Sequence, residues 1–138
     1  MKVFISHSLR GAALAQAVAA GLRREGLETW LPVDEILPGD NWAERVSSAL
    51  AECDAMVVLL TPDTVTSDNV QWEMSFALGN KAYRHRLLPV LVGNEKDMPA
   101  TALPWILERF RFLRLEVEEP ERTDELVHAI AGSLLAAA

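Results

Sequence analysis

The stretch Ala55-Met56-Val57-Val58-Leu59-Leu60 decides the fold of this chain. It is apolar at every position, which is typical of a central parallel strand that helices cover on both faces. It is also the longest apolar run in the sequence, and it is far shorter than the ~20 residues that a membrane-spanning helix needs. The sequence therefore predicts an α/β protein built around this strand.

Further strands and helices are predicted on both sides of this run. Strands are expected at residues 2–5, 27–31, 87–92 and 112–115, and helices alternate with them up to a last helix at 124–135. Parallel strands need right-handed crossover helices. This alternation predicts a flavodoxin-like, doubly wound sheet of five parallel strands in the order 2-1-3-4-5, with helices on both faces. Pro89 is expected to make the fourth strand irregular, because proline cannot donate a ladder bond. We expect residues 1–138 to form one domain.

Composition excludes several classes of partner and site. The net charge is −7 without a basic stripe, which argues against nucleic acid or an anionic membrane as the main partner. The single cysteine, Cys53, cannot form an internal disulfide and indicates a reducing compartment, so we expect a cytoplasmic location. Cys53 follows Trp42 and Val46 on one helical stripe, so we interpret it as a core residue and not as a catalytic thiol.

A ligand crevice is predicted where the strand order reverses, at the carboxyl ends of strands 1 and 3. Residues 6–11 and 61–64 fall there. Ser6 and Ser8 supply hydroxyls and Arg10 a cation, which suit ribose and phosphates. His7 is the only one of the three histidines near this crevice, and we include it as a candidate although a histidine in a turn is more often structural. The three histidines lack metal-ligand spacing, so no metal is predicted.

The segment at residues 67–78 predicts a helix with an unusual carboxylate. Glu73 lies at the margin of the apolar face, and no cation stands three or four residues away to pair with it. A half-buried, unpaired carboxylate is costly. Helix geometry alone leaves a solvated glutamate, or one paired with a distant arginine, equally open. The helix starts from the same edge of the sheet as the predicted crevice, which favours a functional role.

The chemistry that remains suits an N-glycosidic bond. Walker A, GxGxxG and GxSxG patterns are absent from the sequence. One carboxylate can stabilise or trap the oxocarbenium-like transition state at ribose C1′. Nicotinamide leaves NAD⁺ as a neutral molecule, so a paired general acid is dispensable. Trp30 and Trp72 are candidate stacking surfaces for an aromatic ring, whereas Trp42 is assigned to the core.

Five segments in order resemble the Toll/interleukin-1 receptor (TIR) domains. They are residues 3–8; residues 26–30 followed by Asp34, Ile36 and Pro38-Gly39; residues 54–62; residues 67–78; and Leu103-Pro104 with Phe110. Glu73 matches the catalytic glutamate of TIR domains that cleave NAD⁺. One departure is Asn69, where many members carry Trp or Tyr; here Trp72 adjoins the glutamate instead.

The resemblance implies an NAD⁺ glycohydrolase or cyclase that uses no cofactor. Its products would be nicotinamide and ADP-ribose or a cyclic isomer, as a signal to a separate effector in bacterial antiviral defence. Ser6, His7, Ser8, Arg10, Trp30, Asp34 and Trp72 would bind the substrate. Two other readings stay open: a non-catalytic adaptor that acts through TIR–TIR contacts, and a nucleoside deoxyribosyltransferase.

Residues 31–40 form the long loop after the second strand, which corresponds to the family's BB loop. Its prolines and glycine limit its shapes, and it carries apolar side chains among polar ones. Apolar residues on a stiff loop suggest a contact surface. The resemblance implies self-association in which this loop completes the NAD⁺ site of a neighbouring copy. The predicted contact residues are Val33, Ile36, Leu37, Pro38 and Gly39.

Overall fold

The computed structural model describes residues 1–61, 87–93, 113–115 and 119–137. Its strands are β1 (Lys2–Ser6), β2 (Glu28–Trp30), β3 (Ala55–Leu60), β4 (Leu87–Val92) and β5 (Leu113–Leu115). Its helices are α1 (Ala12–Arg24), α2 (Pro32–Glu35), α3 (Trp42–Glu52) and α4 (Pro120–Ala137), and a 3-10 turn at Leu9–Gly11 precedes α1.

The five strands form one parallel sheet in the order β2-β1-β3-β4-β5, which confirms the predicted topology. The central position belongs to β3, which pairs with β1 on one side and β4 on the other. All its residues are buried. The apolar run is therefore continuous because neither face of this strand meets water.

The expected irregularity at Pro89 does not occur. Residues 56–60 of β3 pair one to one with residues 87–91 of β4, and Val58 pairs with Pro89 within that register. The register of β4 against β3 therefore continues through the proline without a bulge.

Alternating residues of the strands divide the core into two clusters. Val3 and Ile5 of β1 belong to the cluster that α1 and α4 cover, and Phe4 belongs to the cluster beneath α3. The packing of α1 against α4 is close: a Cβ on Gly21 would lie 2.6 Å from a methyl group of Val127. The described helices thus cover the sheet on both faces.

The bounds of the helices that flank this edge follow from local signals. At the end of α1, Gly26 has φ of +91°, and Leu27 N–H donates to the Leu22 carbonyl at 3.0 Å, as a glycine-terminated helix requires. At the start of α3, the side chain of Asn41 accepts a hydrogen bond from the Glu44 backbone at 3.2 Å. Both helix ends carry residue types that favour these positions.

Candidate functional site

The sheet order reverses between β1 and β3, so the candidate site lies at their carboxyl ends. Ser6, the last residue of β1, pairs with Val58 of β3. Residues 6–11, which we call the β1 turn, lead from this point into α1, and Thr61 follows β3. Residues 62–64, predicted to complete the crevice, lie outside the described residues.

The backbone of the β1 turn selects the tautomer of the neutral His7 ring. The carbonyl of Ser8 accepts a hydrogen bond from the Gly11 backbone at 3.0 Å, and it lies 2.8 Å from His7 Nδ1. A carbonyl can only accept, so Nδ1 carries a proton. In the neutral imidazole the other nitrogen, Nε2, then presents a lone pair. His7 is therefore held as a hydrogen-bond acceptor at Nε2.

Two buried polar atoms of the β1 turn lack a hydrogen-bond partner within the described structure. They are His7 Nε2 and Ser8 Oγ. Ser8 is only 3% exposed, and a Cβ placed on Gly11 would lie 3.6 Å from its Oγ. Leaving such a group unsatisfied costs about 1–3 kcal/mol. Native proteins tolerate few of these groups, and an unpaired one at a ligand crevice is a candidate binding group.

The other predicted residues of the β1 turn differ in accessibility. Ser6 is fully buried at the end of β1. Arg10 is exposed in the 3-10 turn, and neither a hydrogen bond nor an ion pair engages it within the described part of the chain. The β1 turn therefore offers an accessible guanidinium beside buried hydroxyl and imidazole groups.

Hydrogen bonds attach the loop at residues 31–40, which we call the β2 loop, to both neighbouring helices. Gln16 on α1 donates to Asp34 at 3.0 Å, and Arg45 on α3 donates to the Glu35 carbonyl at 2.8 Å. Sequence reasoning missed Gln16 and Arg45, because exposed polar residues on a helix give no periodic signal of a tertiary contact. Asp34, predicted to bind substrate, is exposed and accepts this bond from α1.

The second half of the β2 loop is a tight turn. Asp40 N–H donates to the Leu37 carbonyl at 3.0 Å, and the Asp40 carboxylate accepts from the Leu37 N–H at 2.9 Å. Pro38 and Gly39 occupy the two central positions, and Gly39 has φ of +92°. Proline followed by a residue with positive φ is the requirement of a type II turn. The stiffness that the prolines and glycine predicted therefore has a structural basis.

The predicted contact residues of the β2 loop separate into two groups. Val33 is 41% and Leu37 is 64% exposed. Ile36 is partly buried and packs against the core cluster beneath α3. The exposed side chains are available to another protein, whereas Ile36 attaches the loop to its own domain.

Trp30 is a core residue, which corrects its assignment as a stacking surface for the substrate. Its side chain is 7% exposed, and its ring stacks on Phe4 with centroids 5.1 Å apart and planes at 18°. Trp30 pairs with Phe4 across β2 and β1, so both side chains lie on the face of the sheet that α3 covers. Trp42 is partly buried against this cluster, as predicted.

Several predictions fall outside the described residues. The helix at 67–78 is among them, with Glu73 and Trp72. So are residues 94–112, which include Leu103, Pro104 and Phe110. The catalytic assignment of Glu73 and the stacking assignment of Trp72 stay predictions.

Cys53 is a poor nucleophile, as its position on the α3 stripe predicted. It is buried, and burial raises the pKa of its thiol to about 12. The thiolate is therefore scarce at neutral pH. Within the described ranges, no three His, Cys, Asp or Glu side chains gather where they could hold a metal ion. No helix in those ranges is long and apolar enough to cross a membrane.

The parallel sheet, whose strand order reverses between β1 and β3, and the stiff β2 loop define an α/β domain. Comparison with known proteins identifies its family. The TIR domain family matches residues 3–128, so the chain belongs to the TIR domains. No curated protein matches its sequence significantly.

Solved structures share the fold at low sequence identity. The TIR domain of the Toll-related receptor TRR-2 from Hydra magnipapillata superposes with a TM-score of 0.67 at 18% identity, covering 94% of this chain and 97% of that one. A TIR-STING receptor from C. gigas, solved with 2′,3′-cGAMP, gives 0.67 at 21% identity, over 93% of this chain and 38% of that one. A CMP N-glycosidase from Clostridium botulinum gives 0.59 at 13% identity, over 94% and 99%.

Proposed function

We propose that this TIR domain cleaves the bond between nicotinamide and ribose in NAD⁺. The observation that carries the proposal is the pair of buried, unpartnered polar atoms, His7 Nε2 and Ser8 Oγ, at the reversal point of the sheet. A domain that acts only through its surface gains nothing from such groups, and each costs stability. A ligand that enters the crevice and bonds them accounts for both their burial and their lack of partners.

The reaction needs little acid assistance. The C1′–N1 bond breaks, its electron pair leaves with nicotinamide, and the ribosyl group becomes an oxocarbenium-like cation. The carboxylate of Glu73 stabilises that cation. A water oxygen then bonds to C1′ and releases one proton, which gives ADP-ribose; attack by an adenine nitrogen gives a cyclic isomer instead. Arg10 is the cation of the β1 turn that can hold the diphosphate.

Self-association through the β2 loop is part of the proposal. Val33 and Leu37 are exposed on a loop that hydrogen bonds from Gln16 and Arg45 hold in place. An ordered apolar contact loses little conformational entropy on docking. The head-to-tail contact of one loop with the next domain is open-ended, so it forms short filaments.

Two other functions make different predictions. An adaptor would use the exposed residues of the β2 loop and would leave NAD⁺ intact. A nucleosidase or deoxyribosyltransferase would act on free nucleosides or nucleotides; the Clostridium botulinum CMP N-glycosidase has the same fold. Incubation with NAD⁺, CMP and deoxynucleosides in parallel, with products identified by mass, separates the three functions.

The decisive variant is Glu73→Gln, which keeps the shape of the side chain and removes its charge. Loss of a key electrostatic group should lower nicotinamide release at least ~100-fold. The melting temperature should stay the same or rise, because a costly charge is gone. Nicotinamide release is measured by chromatography at saturating NAD⁺.

The matched control is Glu28→Gln, the same chemical change at the amino end of β2. Glu28 is exposed at the amino ends of the strands, whereas the proposed site lies at their carboxyl ends. Its turnover should equal that of the wild type. If Glu73→Gln retains wild-type turnover, or if NAD⁺ is not cleaved by the wild type at any concentration, the proposed function is wrong.

A further inference from the structure

The unpartnered atoms of the β1 turn define what kind of group they can bind. Nδ1 of His7 donates to the Ser8 carbonyl at 2.8 Å, which leaves Nε2 of the neutral ring with a lone pair. Ser8 Oγ can both donate and accept. The neutral His7 ring and Ser8 thus present one atom that only accepts a hydrogen bond and one that both donates and accepts.

Anions and cations match this pair poorly. A phosphate or carboxylate oxygen can accept from the Ser8 hydroxyl, but it places negative charge against the lone pair of His7 Nε2. An ammonium group can donate to both atoms, but it cannot accept from the Ser8 hydroxyl. A neutral hydroxyl group donates to His7 and accepts from Ser8, so it satisfies both atoms.

The neighbouring residues favour a hydroxyl that belongs to a ribose phosphate. Arg10 lies two residues further on, exposed, and is suited to a phosphate oxygen. In a nucleotide, the ribose hydroxyls are the neutral hydrogen-bond donors closest to the phosphate. Ser8 lies beside Gly11, the residue that precedes α1, and no acidic residue occupies the first turn of that helix. The start of α1 therefore places no negative charge against a bound nucleotide.

We infer that His7 Nε2 and Ser8 Oγ recognise a ribose hydroxyl of the nucleotide, and that they set the specificity for ribose over its deoxy form. This inference rests on the proposed function for the identity of the nucleotide. It separates two roles within the β1 turn: His7 and Ser8 bind the sugar hydroxyl, and Arg10 binds the phosphate. Such a pair explains why polar atoms remain buried without partners in the absence of a ligand, because the ligand supplies the missing bonds.

The test measures binding of ADP-ribose, which requires no turnover. ADP-ribose lacks the carboxamide of NAD⁺, and all the ligands compared keep the adenine, so differences in affinity between them report on the hydroxyls. Affinities are measured by calorimetry for ADP-ribose and for four analogues, in each of which one of the 2′ and 3′ hydroxyls of the two riboses, the four hydroxyls that NAD⁺ also carries, is replaced by hydrogen. In the wild type one analogue should bind about 5- to 100-fold more weakly than ADP-ribose, the range expected when buried groups lose a hydrogen bond.

Matched variants of His7 separate its two nitrogens. His7→Asn keeps a donor near the position of Nδ1 and removes the acceptor at Nε2, so the difference in affinity between ADP-ribose and the sensitive analogue should shrink to the part that Ser8 supplies. His7→Gln places an amide oxygen near the position of Nε2 and should restore part of the discrimination. Arg10→Ala should weaken all five ligands by the same factor, because a phosphate contact does not depend on a sugar hydroxyl.

A buried water is the alternative occupant, and Ser8→Ala distinguishes it. If a resident water bridges the two atoms, removing the hydroxyl breaks that bridge and lowers the melting temperature. If the ligand is the partner, Ser8→Ala leaves the melting temperature unchanged or raises it, and weakens ADP-ribose binding. The ¹⁵N chemical shift of His7 Nε2, assigned by comparison with His7→Asn, should move when the protein is saturated with ADP-ribose.

Three results would overturn the inference: equal affinities for ADP-ribose and all analogues in the wild type, undiminished discrimination in His7→Asn, or a less stable Ser8→Ala with an unmoved Nε2 signal. These outcomes are independent of the proposed function. NAD⁺ cleavage with undisturbed discrimination in His7→Asn would leave the proposed function standing. ADP-ribose binding that depends on His7, in a protein that does not cleave NAD⁺, would leave the inference standing and show that the proposed function is wrong.

Discussion

The β1 turn and the β2 loop leave the same edge of the sheet, and they treat polar and apolar groups in opposite ways. The β2 loop satisfies its polar groups, through Gln16, Arg45 and Asp40, and exposes Leu37 to water. The β1 turn buries Ser6 and Ser8, and it leaves two buried atoms, His7 Nε2 and Ser8 Oγ, without partners in the described structure. Within the described structure, the β2 loop therefore lacks a partner for an exposed apolar side chain, and the β1 turn lacks partners for two polar atoms.

This difference indicates two kinds of ligand. An exposed apolar side chain on an ordered loop is stabilised by another protein surface, which removes apolar area from water. A buried polar atom is stabilised by a small molecule that brings hydrogen-bonding groups into the crevice. The contrast predicts that changes to the β2 loop alter the concentration dependence of activity, and that changes to the β1 turn alter ligand affinity.

The largest effect expected in the β2 loop is that of Leu37→Asp on activity. If the loop contacts a second copy, wild-type specific activity should rise about tenfold or more between low and high protein concentration, and Leu37→Asp should abolish that rise. The side chain is 64% exposed, so the variant should stay folded. Activity per mole of protein over a hundredfold range of concentration measures this effect. A flat wild-type profile would show that one chain holds the complete site.

Ile36→Asp, the neighbouring substitution, serves as a contrast to Leu37→Asp. Ile36 packs against the core beneath α3, so a charge there should lower the free energy of unfolding by about 2–4 kcal/mol. Loss of activity in that variant reports on stability and not on self-association. If Ile36→Asp and Leu37→Asp lower the free energy of unfolding equally, the assignment of Ile36 to the core and of Leu37 to the surface is wrong.

A smaller effect is expected from Gly39→Ala, which tests the turn that holds Leu37 outward. Gly39 has φ of +92°, and a side chain there should lower the free energy of unfolding by about 1–2 kcal/mol. Urea denaturation measures the difference. The matched control is Gly132→Ala, an exposed position in α4 with open space around it, where alanine should stabilise the helix by about 0.5–1 kcal/mol. A stabilised Gly39→Ala would show that the turn adopts another conformation in solution.

The smallest effect is expected from Asp40→Ala. Its carboxylate accepts from Leu37 N–H at 2.9 Å, and that bond contributes about 1 kcal/mol. The ion pair with Arg45, at 3.7 Å and half exposed, adds little. Ser8→Ala, by contrast, should cost no stability at all, although Ser8 is the more deeply buried of the two residues. If Ser8→Ala is the more destabilising variant in urea, the comparison between the two regions fails.

Much of the fold was predictable because its signals are local. The apolar run at Ala55–Leu60 and the run at Leu87–Val92 coincide with β3 and β4 to the residue. Gly26 follows the end of α1 and Asn41 caps the start of α3, and both residue types favour those positions. Pro89 was misjudged because the register between β3 and β4, which continues through the proline, is set by tertiary pairing and not by local sequence.

The sequence by itself determined the α/β class, the strand order, the family and the positions of the β1 turn and the β2 loop, because periodicity, caps and turn residues act over a few neighbours. Only the tertiary structure decided which side chains those segments bury. It placed Trp30 on Phe4 and Ile36 against the core, and it left His7 Nε2 and Ser8 Oγ without partners. Hydrogen bonding and burial depend on atoms far apart in the chain, so no local pattern in the sequence encodes them.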